Sequence, residues 1–147
     1  MNPVSMKTAR IIGLSEILFA AGIVLFWVGF FAQGPADFFD ARFQEIYLAF
    51  ETSFLAADGL LTLVLLCAGI GLWRRAPSGW FFSIVAGSML VFLGILDVSF
   101  NIRQGIYRFA LEDAVLNLSL NGICLAGGLF YVWSAWKFGF KGVPKNG

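Results

Sequence analysis

The most regular feature of this sequence is a set of four apolar runs, separated by short segments that hold most of the charged residues. A helical run of about 20 residues, rising about 1.5 Å per residue, crosses a hydrocarbon core of about 30 Å. A membrane β-strand would instead alternate apolar and polar positions, and these runs do not alternate. The pattern therefore predicts four transmembrane helices, at approximately residues 11–32, 50–73, 79–101 and 112–136.

Composition supports this interpretation, because the chain is 59% hydrophobic and only 13% charged, with a mean hydropathy of +0.83. A soluble domain of 147 residues needs a charged surface, and this chain lacks the residues to make one. We therefore predict an all-α fold, a single four-span transmembrane domain over residues 1–147 that forms an integral membrane four-helix bundle.

The basic residues divide unequally between the two sides of a four-span topology, and the larger group marks the cytoplasmic side. The smaller group consists of Arg42, Arg103 and Arg108. We therefore predict cytoplasmic N and C termini and a multi-pass protein of a bacterial-type inner (plasma) membrane. The seven residues of the larger group are Lys7, Arg10, Arg74, Arg75, Lys137, Lys141 and Lys145.

The first apolar run could also be read as a cleaved signal peptide, with Lys7 and Arg10 as its basic flank. Its apolar stretch is longer than the usual signal core, and an internal acid, Glu16, fits such a core poorly. We therefore favour a transmembrane helix.

Charge and residue usage exclude several classes of function. The formal net charge of +1 gives no field that would attract nucleic acid. The absence of histidine removes the commonest ligand of haem and zinc, so we predict no such cofactor. Cys67 and Cys124 both lie within apolar runs and are interpreted as buried thiols in packed helices.

Polar side chains recur at helical spacing inside the second, third and fourth runs. An ionisable group at the centre of a membrane helix costs at least about 2.5 kcal/mol, so each one needs an explanation. Residues three, four or seven apart share a face of a helix. The three predicted stripes lie in the outer halves of their helices and consist of Glu51 and Asp58, then Asp97 and Asn101, then Asp113, Asn117 and Asn121.

If these stripes face one another, they form an acidic and amide-rich pocket open to the outside. Such oxygens suit hard cations, so the pocket would bind or pass Ca²⁺, Na⁺, a proton or a cationic solute. The structural alternative pairs Asp58 and Asp97 with Arg103 or Arg108. It leaves the asparagines as hydrogen-bonding groups between helices.

Glu16 is separate from these stripes, because it lies in the inner half of the first span. The simplest interpretation pairs it with Arg74 or Arg75 of the short loop between the second and third spans, or with a lysine whose side chain snorkels towards it. A lone acid in a first span is also a candidate site for a proton or cation.

Small residues at intervals of four or seven predict where helices approach closely, since lipid gives no hydrophobic drive between them. We expect these contacts at Gly22, Gly29, Ser83, Gly87, Gly94, Gly122 and Ala126.

No enzyme motif is present, neither a glycine-rich phosphate loop nor a nucleophile elbow, so an enzyme that acts on lipids is the least supported class. Two hypotheses remain. In the first, the outer pocket binds or passes a cation, and four spans per chain then predict a homo-oligomer. In the second, the bundle is an accessory subunit of a larger membrane complex, or holds a lipid or other apolar ligand.

Overall fold

The computed structural model describes residues 5–33, 44–108 and 111–140. Its four long helices confirm the predicted all-α fold, and they extend beyond the predicted spans at several ends. A 3-10 turn, Ile106–Arg108, precedes the fourth helix, which continues as a short π-helical segment, Ala135–Phe140. The helices are α1 (Met6–Gln33), α2 (Gln44–Trp73), α3 (Pro77–Gln104) and α4 (Leu111–Ser134).

The helices pack as an antiparallel bundle in chain order, with α1 on α2, α2 on α3, and α3 on α4. The bundle closes between α4 and α1, where the rings of Tyr131 and Phe19 meet edge to face at 6.4 Å. We call the end where α1 and α3 finish the distal end, and the opposite end the proximal end. The distal end is the one that the charge distribution predicts to be extracytoplasmic.

The bundle is a multi-pass integral membrane protein. All four helices are long and apolar enough to cross a bilayer. Large apolar side chains such as Ile11, Leu25, Phe92 and Leu129 are well exposed on the outside of the bundle. Water would penalise these surfaces, whereas lipid tails solvate them.

The connection between α2 and α3 is a tight turn. Arg75 adopts a left-handed conformation (φ 60°), and Pro77 begins α3 at a position where a missing backbone N–H costs nothing. At the other end of α3, Gly105 is left-handed (φ 68°) and its N–H bonds the last carbonyl oxygens of the helix. The chain can then turn at once into the 3-10 segment.

Glycines bring two pairs of helices into backbone contact. A Cβ on Gly128 of α4 would lie 2.6 Å from the carbonyl oxygen of Gly87 on α3. A Cβ on Gly69 of α2 would lie 2.5 Å from the carbonyl oxygen of Gly13 on α1. Neither pair could approach so closely if it carried side chains.

The predicted small-residue contacts are only partly correct. Gly87, Gly94 and Ser83 are buried against neighbouring helices, as expected. The prediction is wrong for Gly22, Gly29 and Gly122, where an added Cβ would meet nothing within 4 Å, and for Ala126, which is exposed. These residues face outward because the rotation of each helix, which spacing does not reveal, turns them from the interior.

Replacing Gly128 by Ala should destabilise the bundle by about 1–3 kcal/mol, because the new methyl group overlaps the Gly87 carbonyl and pushes α3 and α4 apart. The free energy of unfolding in mixed micelles measures the effect. Gly22→Ala is the matched control, with open space around it, and should be neutral or slightly stabilising because alanine favours helix. Equal losses in the two variants would contradict the close contact.

Candidate functional site

Asp58 of α2 is held by α1. Its Oδ2 accepts a hydrogen bond of 3.0 Å from the indole Nε1 of Trp27. Trp27 is buried and Asp58 is half-buried, so the bond lies within the bundle rather than on its surface. A carboxylate at this depth therefore has a neutral donor from a neighbouring helix as its partner.

Asp97 of α3 is bonded within its own helix and approached from α4. The amide Nδ2 of Asn101, one turn further along α3, donates to Asp97 Oδ2 at 3.4 Å. The side chain of Asn121 on α4 lies beside the same carboxylate. Asp97 thus receives amide groups from two helices.

Tyr107 of the 3-10 turn joins these amides at the distal end. Its hydroxyl oxygen accepts from Asn121 Nδ2 at 3.2 Å and from Asn101 Nδ2 at 3.5 Å. Asn101 is completely buried and Asn121 is 5% exposed. The turn after α3 therefore covers the asparagines with a phenol.

The two carboxylates belong to one cluster. Asp58 and Asp97 are close enough to interact electrostatically, and the Cys124 thiol of α4 interacts with both. We call the set the distal polar cluster; it draws on all four helices and the 3-10 turn. Its members are Trp27, Asp58, Asp97, Asn101, Tyr107 and Asn121.

The convergence of polar stripes expected from helical spacing thus holds for Asp58, Asp97, Asn101 and Asn121. Glu51 and Asn117 are half-buried, and the contacts given above do not tie them to the cluster. The side chain of Asp113 lies outside the part of the chain that the structure describes.

The described residues do not show the arginine pairing that the structural alternative expects. Arg103 and Arg108 are exposed, and within the described residues no ion pair joins either of them to Asp58 or Asp97. Two carboxylates that interact electrostatically therefore have hydrogen-bond donors around them and, among the residues that the structure describes, no cationic partner.

The donor set is rich in oxygen but holds few acids. Within the described residues, no group of three or more His, Cys, Asp or Glu side chains is placed to hold a metal ion. The cluster offers two carboxylates and the side-chain oxygen of Asn101, Oδ1, which is buried and has no hydrogen-bond partner. Any metal ion bound here would keep water or use further neutral oxygens.

Sequence patterns did not single out Trp27 or Tyr107 as members of a site. Trp27 belongs to a crowded aromatic stretch of α1, where it also packs edge to face against Phe26 and Phe30. Aromatic residues near the ends of spans are usual interface anchors, so nothing distinguishes one that donates to a carboxylate. Their polar atoms become relevant only once α1 and the 3-10 turn are placed beside α2, α3 and α4.

The structure corrects the sequence-based interpretation of Glu16, which paired this acid with a basic side chain. Its side chain is 0% exposed, and neither carboxylate oxygen has a hydrogen-bond partner. Arg74 and Arg75 are exposed on the α2–α3 turn and do not pair with it. The short turn keeps both arginines at the proximal surface, whereas Glu16 faces the interior of the bundle.

The prediction that both cysteines are buried thiols is only partly correct. Both are free, and Cys124 is half-buried beside the distal polar cluster. Cys67, however, is exposed on the outside of α2. An apolar thiol is compatible with a lipid-facing position as well as a core position.

Comparison with known proteins gives no family: no family model matches the chain, and no curated protein or solved structure matches it. Function must therefore be inferred from the geometry of the molecule.

The bond between Trp27 and Asp58 should contribute measurably to the packing of α1 on α2. We expect Trp27→Phe, which keeps a ring but loses the N–H, to lower the free energy of unfolding by about 1 kcal/mol, a usual value for hydrogen bonds between membrane helices. A double-mutant cycle with Asp58→Ala isolates the bond, because Trp27→Phe should then cost much less. Additive losses would show that the indole N–H does not act through Asp58.

Proposed function

We propose that this multi-pass membrane protein binds a small hard cation in the distal polar cluster, with Asp58 and Asp97 as the charged ligands. The observation that carries the proposal is the approach of two carboxylates from different helices, neither of which pairs with a basic side chain in the part of the chain that the structure describes. Access would be from the side that the charge distribution predicts to be extracytoplasmic.

Two carboxylates that lie close together inside a membrane protein carry a large electrostatic cost. Carboxylates removed from water are expensive unless they are neutralised or well hydrogen-bonded, and two close carboxylates also repel each other. Trp27 and Asn101 donate hydrogen bonds but bring no positive charge. A cation or a proton between Asp58 and Asp97 would remove both the repulsion and much of the burial penalty.

The chemistry of the ligands favours a hard ion over a soft metal. Carboxylate and amide oxygens suit ions such as Na⁺ and Ca²⁺, whereas thiolate and imidazole ligands are needed for softer metals. Asn101, whose Nδ2 already donates a hydrogen bond to Asp97, also carries the unpartnered side-chain oxygen Oδ1. It would complete a set of three oxygen-bearing side chains, to which Asn121 is adjacent.

A cation-binding site at one end of a four-helix bundle would also serve as the entry site of a transport path. Four spans offer little room for a path through one chain, so transport would require a homo-oligomer. We keep a bacterial-type inner membrane as the expected location.

Cation binding predicts that Na⁺ or Ca²⁺ raises the thermal stability of the purified protein, because a ligand that binds only the folded state stabilises it. A hundredfold excess over Kd adds about 2.7 kcal/mol. Asp58→Asn and Asp97→Asn should each abolish this shift and the binding of radiolabelled ion in lipid nanodiscs. Glu16→Gln is the matched control, since it removes an acid outside the cluster and should leave binding unchanged.

Stabilisation that survives both aspartate substitutions, or no response to either ion or to protons, would contradict the proposal. Ion flux into proteoliposomes separates binding from transport. Flux that depends on Asp58 and Asp97 indicates transport, whereas binding without flux indicates a cation site in a non-transporting protein.

A second candidate function follows from a groove on the outside of the bundle. This groove, of about 480 Å³, runs between α1 and α2 and suits an apolar ligand or a helix of a partner subunit. It is lined by Ile23, Val24, Trp27, Val28, Phe31, Leu55, Gly59 and Thr62.

Gly59 gives a direct test of this second function, because nothing lies within 4 Å of a Cβ added there. Gly59→Leu should fill the groove and remove any lipid or protein that co-purifies in mild detergent, as identified by mass spectrometry. Gly122→Leu, equally open but on α4, should leave the co-purifying molecules unchanged. The same molecules in all samples would exclude the groove as their site.

A further inference from the structure

The interior of the bundle holds a second polar site, centred on Glu16 and apart from the distal polar cluster. Glu16 is 0% exposed and both of its carboxylate oxygens lack hydrogen-bond partners. Trp27 lies eleven positions further along α1, which places the two sites about 16 Å apart along the helix axis. The buried side chains of Ala20, Leu61, Leu65 and Leu90 form an apolar core between them.

Hydroxyl groups from three helices surround Glu16. The Ser83 hydroxyl of α3 lies beside the carboxylate but donates to the carbonyl oxygen of Gly79 at 3.0 Å. The Tyr131 hydroxyl of α4 interacts electrostatically with Glu16 and donates to Ser15 Oγ of α1 at 3.2 Å. The hydroxyls nearest to Glu16 are thus already donating to other acceptors.

A further buried hydroxyl lies one turn from Tyr131 on the same face of α4. Ser134 is 0% exposed, and its Oγ also has no hydrogen-bond partner. Buried polar atoms without partners are rare in folded proteins, and a membrane interior offers no bulk water to compensate. The carboxylate of Glu16 and the hydroxyl of Ser134 are both unpartnered in the interior. The unpartnered carboxylate indicates that a further species completes the site of Glu16.

No basic side chain in the described ranges hydrogen-bonds to the Glu16 carboxylate and supplies the missing charge. From α2, Glu16 is faced by the apolar side of the helix, with Leu65, Ala68 and Leu72 in the core. The phenol of Tyr131 is the other titratable group near it. Among the described residues, Arg10 of α1 lies over the ring of Trp73, and Lys137, which follows α4, lies over that of Trp133.

Close packing limits the size of whatever neutralises Glu16. One turn before it, Gly13 lies against Gly69, and one turn beyond Ser83, Gly87 lies against Gly128, with backbone contacts in both places. A hydrated ion does not fit between helices that approach so closely. A proton adds no volume, and it would turn one carboxylate oxygen into a donor that a serine oxygen can accept.

We propose that Glu16 is an exchangeable proton-binding site in the interior of the bundle, with the hydroxyl oxygen of Ser83 as the group that accepts a hydrogen bond from the protonated carboxyl. The site is independent of cation binding at Asp58 and Asp97. Glu16 lies in the predicted inner half of the membrane. Proton uptake there would change how α1 packs against α3 and α4.

Infrared difference spectroscopy of the protein in lipid nanodiscs tests the proposal, because a protonated carboxyl has a carbonyl stretch that an ionised one lacks. We expect such a band in the wild type, a shift of it in D₂O, and its loss on raising the pH before the protein unfolds. Glu16→Gln should remove the band, whereas Asp58→Asn should leave it in place.

Two serine variants test the surroundings of the carboxyl. Ser83→Ala should shift the Glu16 band to higher frequency, because the carboxyl loses a hydrogen-bonding neighbour. Ser88→Ala, on the exposed side of α3, should not move it.

Three results would overturn the proposal. A spectrum unchanged by Glu16→Gln would show that Glu16 is ionised. A band that responds neither to D₂O nor to pH would make it a fixed structural group. Loss of the band on adding Na⁺ at constant pH would identify a sodium site instead. If Glu16→Gln fails to fold, the D₂O, pH and Ser83→Ala measurements on folded protein decide the matter.

Discussion

Negative charge inside a bundle surrounded by lipid must be compensated by protein, by a bound cation or by a proton. That constraint organises the interior of this molecule. In water-soluble proteins a carboxylate can turn to solvent, but the exterior here is apolar, so three carboxylates, Glu16, Asp58 and Asp97, turn inward or towards the distal end. The arginines that the structure describes are exposed at or near the ends of helices. Compensation must therefore come from hydrogen-bond donors or from a bound positive species.

The two polar sites meet this constraint in different ways. The distal polar cluster is half-open, and its carboxylates receive donors from Trp27 and Asn101. Glu16 is closed off, and its neighbours Ser83 and Tyr131 direct their protons to other acceptors. A half-open site with oxygen ligands suits a cation that enters from outside, whereas a sealed carboxyl suits a proton. An apolar core lies between the two sites and separates them in space.

Close contacts between glycines restrict the space around the buried carboxyl group of Glu16. Where Gly13 meets Gly69 and Gly87 meets Gly128, the backbones of adjacent helices touch, and little space remains near Glu16. In lipid, such contacts also supply van der Waals attraction that the hydrophobic effect does not. The same four residues thus hold the helices together and restrict which species can reach the buried acid.

The sequence by itself determined the four membrane helices, because the length of each apolar run matches the thickness of a hydrocarbon core. It also determined which polar residues share a helix face, and so brought Asp97 and Asn101 together correctly. The tertiary structure alone decided how each helix is rotated about its axis. In a soluble bundle a polar outer face reveals that rotation, but here the lipid-facing and buried faces are both apolar and carry no contrast. For this reason Gly22 and Gly122 face outward against expectation, Glu16 lies buried without a basic partner, and Trp27 joins Asp58 although nothing in its neighbourhood along the chain marks it.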